Sequence, residues 1–82
     1  MRIYDYDGRK NLSGAKVRWA RLRMGLSQAE LAARLQVEGV SIERDSISRM
    51  ELGMRIIPDY ELVALRKVLG VSLEWLLSLS EE

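Results

Sequence analysis

Apolar residues recur at three- and four-residue spacing along most of this chain, and turn-forming residues separate the runs. Gly25, Gly39, Gly53 and Gly70 each follow such a run, and the sole proline, Pro58, precedes another. This spacing places the apolar residues of a run on one face of a helix, and glycine and proline are typical of helix boundaries. The chain therefore predicts an all-α fold of five short helices with short connections and no sheet.

The predicted helices cover the runs LSGAKVRWARLRM, SQAELAARLQ, DSISRMEL, DYELVALRKVL and LEWLLSLS. Ser27 and Glu30 have the spacing of a capping box, Ser72 is a suitable cap for the last helix, and Gly14 suggests a cap or close packing. The intervening VEGVSIE is predicted to be a loop. We expect the first four helices to bury Val17, Ala20 and Met24; Ala29, Leu31, Ala32 and Leu35; Ile47 and Met50; and Leu62, Val63, Leu65, Val68 and Leu69. In the last helix, Leu73, Leu76 and Leu77 continue the apolar pattern.

Composition excludes several classes of site. A chain of 82 residues fits one domain, and it has no cysteine and no histidine. A disulfide framework, a Cys/His metal site and a Ser/His or Cys/His nucleophile pair are therefore excluded. No apolar run approaches the length of a membrane span. We expect a soluble cytoplasmic protein that is not an enzyme and has no metal, cofactor or small-molecule ligand.

The net charge of +1 hides an uneven distribution. Residues 1–24 carry seven basic and two acidic side chains, a local charge of +5, whereas residues 59–82 carry a local charge of −3. Such polarity places one end of a molecule near an anion, although an ordinary solvated surface gives the same pattern.

Two of the predicted helices, residues 27–36 and about 45–52, are short and polar enough to form a protruding pair. Their order suggests a helix-turn-helix, in which the first helix crosses the DNA backbone and the second enters the major groove. Two ordinary bundle helices would have the same spacing.

Three longer runs carry a family resemblance: VRWARLRMGLSQAELAARL, SISRMELG and PDYELVALRKVLGVSLEWLL. Together they resemble the helix-turn-helix domains of the Cro and phage-repressor type, also called the XRE family, over roughly residues 12–79. The resemblance implies a compact five-helix, lambda-repressor-like domain that binds double-stranded DNA. A joint match of ordered motifs is far more specific than any one of them.

The resemblance also implies which residues contact phosphate. Ser27 and Gln28 lie at the start of the second helix, where free backbone N–H groups favour an anion. Arg55 follows the third helix at a position that often touches phosphate in the family. The alternative for Arg55 is a solvated loop residue.

Arg44, Asp45, Ser46 and Arg49 match the groove-facing positions of the family's reading helix. Arg44 or Arg49 is suited to paired hydrogen bonds with guanine O6 and N7, and Asp45 to accepting from cytosine N4. The alternative for Arg49 is an ion pair with Asp45, one helical turn earlier.

Arg21 and Glu51 fall at family positions that form an ion pair between the first and third helices.

The turn before the third helix is longer than is usual in the family, and we expect its Val40 or Ile42 to pack under that helix. Glu43 stands where a small N-cap residue is usual and is a weak cap, so Ser41 or Asp45 could substitute.

Residues 1–10 are expected to form a flexible arm, and residues 11–80 the helix-turn-helix domain. Trp19 and Trp75 are assigned either to partly buried packing or to self-association. The last helix carries the predicted homodimer contacts Trp75, Leu76 and Leu79.

The function that follows is a sequence-specific transcriptional regulator, a repressor that binds a palindromic operator as a dimer. The alternatives are an antitoxin, or a protein-interaction module of the same fold that has lost DNA binding. The near-zero net charge and the acidic Glu38, Glu43 and Asp45 favour the interaction module.

Overall fold

A computed structural model describes residues 6–79 of the chain. Within these residues the helices are α1 (Gly14–Arg23), α2 (Gln28–Val37), α3 (Arg44–Glu51), α4 (Asp59–Leu69) and α5 (Leu73–Leu76). The only β-type pairing in this part of the chain is a single bridge between Tyr6 and Arg9. The predicted all-α fold is confirmed. None of the helices in residues 6–79 has both the length and the apolar content that crossing a membrane requires.

Polar caps mark the helix ends that the sequence predicts. At the start of α2, the Glu30 amide donates to Ser27 Oγ over 3.0 Å, and the Ser27 amide donates to the Glu30 carboxylate over 2.7 Å. Ser72 Oγ accepts from the Trp75 amide at the start of α5. Gly70 ends α4 in the left-handed conformation, with φ of +68°. The predicted capping box and the Ser72 cap are confirmed.

Helix α3 begins without a side-chain cap. Its N-cap is Glu43, whose side chain makes no capping hydrogen bond, although its carbonyl accepts from the Ile47 amide over 3.1 Å. The prediction that Ser41 or Asp45 replaces Glu43 as the cap is wrong, because α3 starts at Arg44. Arg44 and Asp45 therefore lie in the first turn of α3.

Buried apolar side chains from every helix and from the α2–α3 loop form one core. The loop contributes two residues, Val40 at 7% exposure and Ile42 at 3%. Both belong to the core beneath α3. The sequence predicts this packing for at least one of the two. The core consists of Val17, Ala20, Leu31, Ala32, Leu35, Val40, Ile42, Ile47, Met50, Ala64, Leu65, Leu69 and Leu76.

Three residues predicted to be buried are exposed instead. Ala29 and Val63 each lie two positions before a buried leucine, about 200° around the helix, and therefore point to solvent. Met24 is the C-cap of α1, where the chain turns away at Gly25 with φ of +73°. The last helix is also shorter than predicted, because Leu77 is its C-cap and Ser78 has a positive φ.

The segment just before α1 is fastened to the end of α3. The Lys10 amide donates to the Gly53 carbonyl over 2.8 Å, and the Arg9 guanidinium donates to the Glu51 carbonyl over 3.3 Å. A side chain at Gly53 would meet Arg9, and its φ is +78°. Arg9 and Lys10 of the predicted arm are therefore in contact with the end of α3. The flexible arm over residues 1–10 stays a prediction, and residues 1–5 lie outside the described part of the chain.

Candidate nucleic-acid interface

The α2–α3 pair is connected by a long turn that is held at several points. The side-chain amide of Gln36, near the end of α2, donates to the Ile42 carbonyl over 2.9 Å. Val40 and Ile42 are buried from the same turn. The turn therefore fixes where α3 starts, even though it is longer than is usual in the family.

A buried ion pair ties α1 to α3 beneath this unit. Arg21 Nε lies 2.6 Å from Glu51 Oε2 and Arg21 Nη2 lies 3.0 Å from Oε1, with both side chains almost fully buried. The hydrogen bonds to Glu51 raise the pKa of Arg21. Arg21 Nη1 also donates to the Leu26 carbonyl over 2.8 Å. The two residues that the resemblance paired are thus in contact, and they set the position of α3.

The start of α2 is less free for phosphate than the resemblance implies. Gln28 turns its side-chain amide toward Glu51, at 3.1 Å from Oε1. The Glu30 carboxylate already accepts the Ser27 amide, and this bond lowers the pKa of Glu30. A phosphate would therefore meet the remaining amides of the first turn of α2, beside a carboxylate. Phosphate contacts by Ser27 and Gln28 stay predictions.

The outer face of α3 carries the predicted base-reading residues. Arg44 and Asp45 are 62% and 77% exposed at their side chains and form an ion pair of 3.1 Å. Ser46 is partly exposed and Arg49 is exposed. Within residues 6–79 Arg49 makes no ion pair, so the alternative of an Arg49–Asp45 pair is wrong, because Asp45 is paired with Arg44 instead.

The inner face of α3 consists of Ile47, Met50 and Glu51, which are all buried. The four predicted residues thus present two guanidinium groups, one carboxylate and one hydroxyl outward from a rigid support. This is the set of groups that forms hydrogen bonds with base edges in a major groove.

Arg55 is held by a carboxylate of α4. Arg55 Nη1 and Nη2 lie 2.6 and 2.8 Å from the two carboxylate oxygens of Glu61, and Nη1 also donates to the Ile56 carbonyl. This pairing raises the pKa of Arg55. The alternative of a solvated loop residue is therefore wrong. The predicted phosphate contact is not tested, but much of the hydrogen-bonding capacity of Arg55 is already used.

Sequence reasoning missed Asn11, a buried side chain that links three segments. Asn11 Nδ2 donates to the Met50 carbonyl over 2.9 Å and to the Arg55 carbonyl over 2.7 Å, and Asn11 Oδ1 accepts from the Gly14 amide. Gly14 itself has no room for a Cβ, because the Met50 carbonyl is directly against it. An asparagine shortly before a helix suggests a cap, but nothing local shows that its acceptors lie about forty residues away.

The predicted dimer contacts separate into buried and accessible residues. Leu76 has no exposed surface and belongs to the core, so the prediction that it contacts a second copy is wrong. Leu79 is 75% exposed. Trp75 is partly buried and lies 5.6 Å, ring centroid to ring centroid, from Trp19. Leu79 and Trp75 are accessible, and their contact with a second copy stays a prediction.

The comparison with known families agrees with this geometry. A family described as helix-turn-helix matches residues 17–76, which include α1 to α5 from Val17 onward. No curated protein matches the chain. The chain belongs to the Cro/C1-type helix-turn-helix family, the XRE family, and hence to the DNA-binding transcription regulators.

Proposed function

We propose that this protein is a repressor that binds a palindromic operator as a homodimer and reads bases with the outer face of α3. The observation that carries the proposal is the contrast between the two faces of α3. The inner face is fixed by Ile47, Met50 and the Arg21–Glu51 pair, while Arg44 and Arg49 extend into solvent. A preorganised helix with exposed guanidinium groups suits base recognition in the major groove.

The start of α3 at Arg44 defines the register of the reading face. Arg44, Asp45 and Ser46 occupy the first turn, where residues of a reading helix approach base edges, and Arg49 follows one turn later. Arg49 is the best candidate for paired hydrogen bonds with a guanine, because no carboxylate among the described residues competes for it. Asp45 either aligns Arg44 or accepts from a cytosine N4.

A two-fold dimer would place two copies of α3 about 34–36 Å apart in successive major grooves. Exposed apolar side chains support contact with a second copy. They include Leu79 after α5 and the segment that continues from α3, with Leu52 at 62% exposure, Met54 at 59% and Ile56 at 42%. A contact through the segment after α3 would keep both reading helices on the same side of the duplex.

The interaction-module alternative rests on acidic residues near α3. One of them, Glu38, lies 2.9 Å from Lys67 Nζ and is thereby partly neutralised. Asp45 is paired with Arg44. Of the three carboxylates, only Glu43 makes no ion pair among residues 6–79, so the charge near the reading face favours DNA more than the sequence suggests.

The test is binding to a random-sequence duplex, measured by fluorescence anisotropy at several salt concentrations. The proposal predicts a log–log slope of about −0.9 per phosphate neutralised. Arg44→Gln combined with Arg49→Gln should weaken binding to a site selected from a random pool more than binding to random duplex. Arg18→Gln combined with Arg66→Gln removes two exposed cations outside α3 and is the matched control. Absence of binding at low salt would exclude the proposal. Selection of bound sites from a random pool should yield palindromes.

A further inference from the structure

Both tryptophans of the chain line one open groove between α1 and the turn that leads into α5. The groove has a volume of about 750 Å³, and its lining includes Lys16, Trp19, Arg23, Val71, Ser72 and Trp75. Trp19 is 52% exposed, which is unusual for so large an apolar side chain. We name this feature the tryptophan groove. Its volume lies within the roughly 300–1,000 Å³ of typical binding clefts.

The tryptophan groove lies on the side of α1 that faces away from α3. Gly14 packs against the Met50 carbonyl of α3 and Arg21 pairs with Glu51 of α3. Trp19 is about 200° around α1 from Arg21, and Lys16 and Arg23 share the face of Trp19. An occupant of the groove would therefore leave the outer face of α3 free.

Two cations are held against the indole rings at the edge of this groove. Lys16 Nζ lies 5.0 Å from the centroid of the Trp75 ring and donates to the Trp75 carbonyl over 2.8 Å. The Arg23 guanidinium lies 5.1 Å from the centroid of the Trp19 ring. Cation–π contacts of this kind hold a charged group in place without neutralising it.

Neither cation has a carboxylate partner among residues 6–79. By contrast, Arg21, Arg55 and Lys67 are each paired with a glutamate. The acidic residue closest in sequence to Trp75, Glu74, is exposed and makes no ion pair with Lys16 or Arg23 in that part of the chain. The groove thus combines apolar indole surface with positive charge that the described residues do not compensate.

We propose that the tryptophan groove docks an acidic peptide segment of a partner protein. An apolar side chain of that segment would pack against the exposed surface of the two indoles, and flanking carboxylates would bind Lys16 and Arg23. Aromatic side chains supply large contact area at low entropic cost, and the cations, already held by the rings, lose little further freedom on binding. The proposal does not rest on the reading of DNA by α3.

Intrinsic fluorescence reports on this groove directly, because it contains both tryptophans of the chain. The probe is a short synthetic peptide with one leucine flanked on each side by glutamates, titrated into the full chain. The matched peptide carries glutamines in place of the glutamates. We expect a saturable change in fluorescence with the acidic peptide that weakens as salt rises, and a much smaller change with the neutral peptide.

Two pairs of variants separate this proposal from DNA binding. Lys16→Gln combined with Arg23→Gln should weaken peptide binding roughly two- to thirtyfold, the range expected for the loss of two exposed ion pairs, and leave DNA affinity unchanged. Arg44→Gln combined with Arg49→Gln should do the reverse. Lys16→Arg combined with Arg23→Lys keeps both charges and should retain peptide binding. Circular dichroism checks that each variant is folded.

Equal binding of the acidic and neutral peptides, or no fluorescence change with either, would overturn the proposal. It would also be overturned if the Lys16/Arg23 variant lost DNA affinity, since the cations would then serve the duplex. Conversion of a dimer to a monomer by that variant in sedimentation would assign the groove to a second copy, which contradicts the proposed partner. If DNA binding fails while peptide binding persists, the groove proposal survives and the proposed repressor function does not.

Discussion

Helix α3 takes part in two arginine–carboxylate pairs, one that links its inner face to α1 and one on its outer face, and the two pairs differ mainly in burial. Arg21 and Glu51 are 2.6 Å apart with side chains 8% and 2% exposed, whereas Arg44 and Asp45 are 3.1 Å apart and 62% and 77% exposed. A buried charge without its partner is costly, while an exposed pair exchanges readily with water or another ligand. The first pair therefore fixes α3, and the second remains available for bases.

The Arg55–Glu61 pair is intermediate between these two. Its guanidinium is 25% exposed and its carboxylate 4% exposed. The three pairs form a series of increasing side-chain exposure. Along this series, a mutation of the pair should cost less free energy of unfolding. Its direct effect on DNA recognition should become larger.

The largest effect is expected for Glu51→Ala. This change leaves the buried Arg21 guanidinium without its carboxylate and removes the acceptor of the Gln28 amide. We expect a loss of about 3 to 5 kcal/mol in the free energy of unfolding, measured by urea denaturation. A loss below about 1 kcal/mol would show that the pair does not hold α3 in place.

Glu61→Ala should have a smaller effect. Arg55 would lose two hydrogen bonds to a carboxylate but would remain partly hydrated, so we expect a loss of about 1 to 3 kcal/mol in the same denaturation experiment. The variant also releases Arg55 for phosphate. If the predicted phosphate contact exists, affinity for random duplex DNA should rise or stay constant, and a fall in affinity of the folded variant would argue against that contact.

Asp45→Ala should change stability by less than about 1 kcal/mol. It removes an exposed ion pair and a favourable charge in the first turn of α3, both of which are weak contributions. The variant should instead alter the preference among operator sequences, read by selection from a random DNA pool. A large stability loss with unchanged sequence preference would reverse the comparison between the two faces.

The smallest effect concerns the capping box of α2, whose contribution to stability depends on pH. Accepting the Ser27 amide lowers the pKa of Glu30, so the ionised form stabilises the fold. That contribution is present above the ordinary glutamate pKa of about 4.3 and is lost as the pH falls through the lowered value. Thermal unfolding of wild type and Glu30→Gln should therefore differ at neutral pH and converge in acid. A constant difference would rule out this linkage.

The sequence predicts well what depends on local pattern. The five helices, the capping box at Ser27 and the buried face of α3 follow from spacing and cap chemistry, which act over a few residues. Predictions failed where helix phase or length decides exposure. Val63 is exposed because it lies off the buried face of α4, and Leu76 is buried because α5 is only one turn long and packs inward.

The contacts that support the candidate site are mostly long-range. Asn11 reaches carbonyls about forty residues away, and Arg55 finds Glu61 only because the α3–α4 loop folds back onto α4. No local pattern encodes such partners. The family resemblance located Arg21 and Glu51 correctly relative to each other, whereas the pairing of Asp45 with Arg44 rather than with Arg49 required the fold.

The central claim is that the outer face of α3 reads bases, and Arg49→Ala tests it most directly. Arg49 is exposed on α3, away from the buried Arg21–Glu51 pair, so its loss should not unfold the domain. Affinity is measured for the site selected by the wild type and for random duplex at the same salt concentration. We predict a loss of about 1 to 3 kcal/mol on the selected site and a much smaller loss on random DNA. Equal losses on both duplexes would contradict base reading by Arg49.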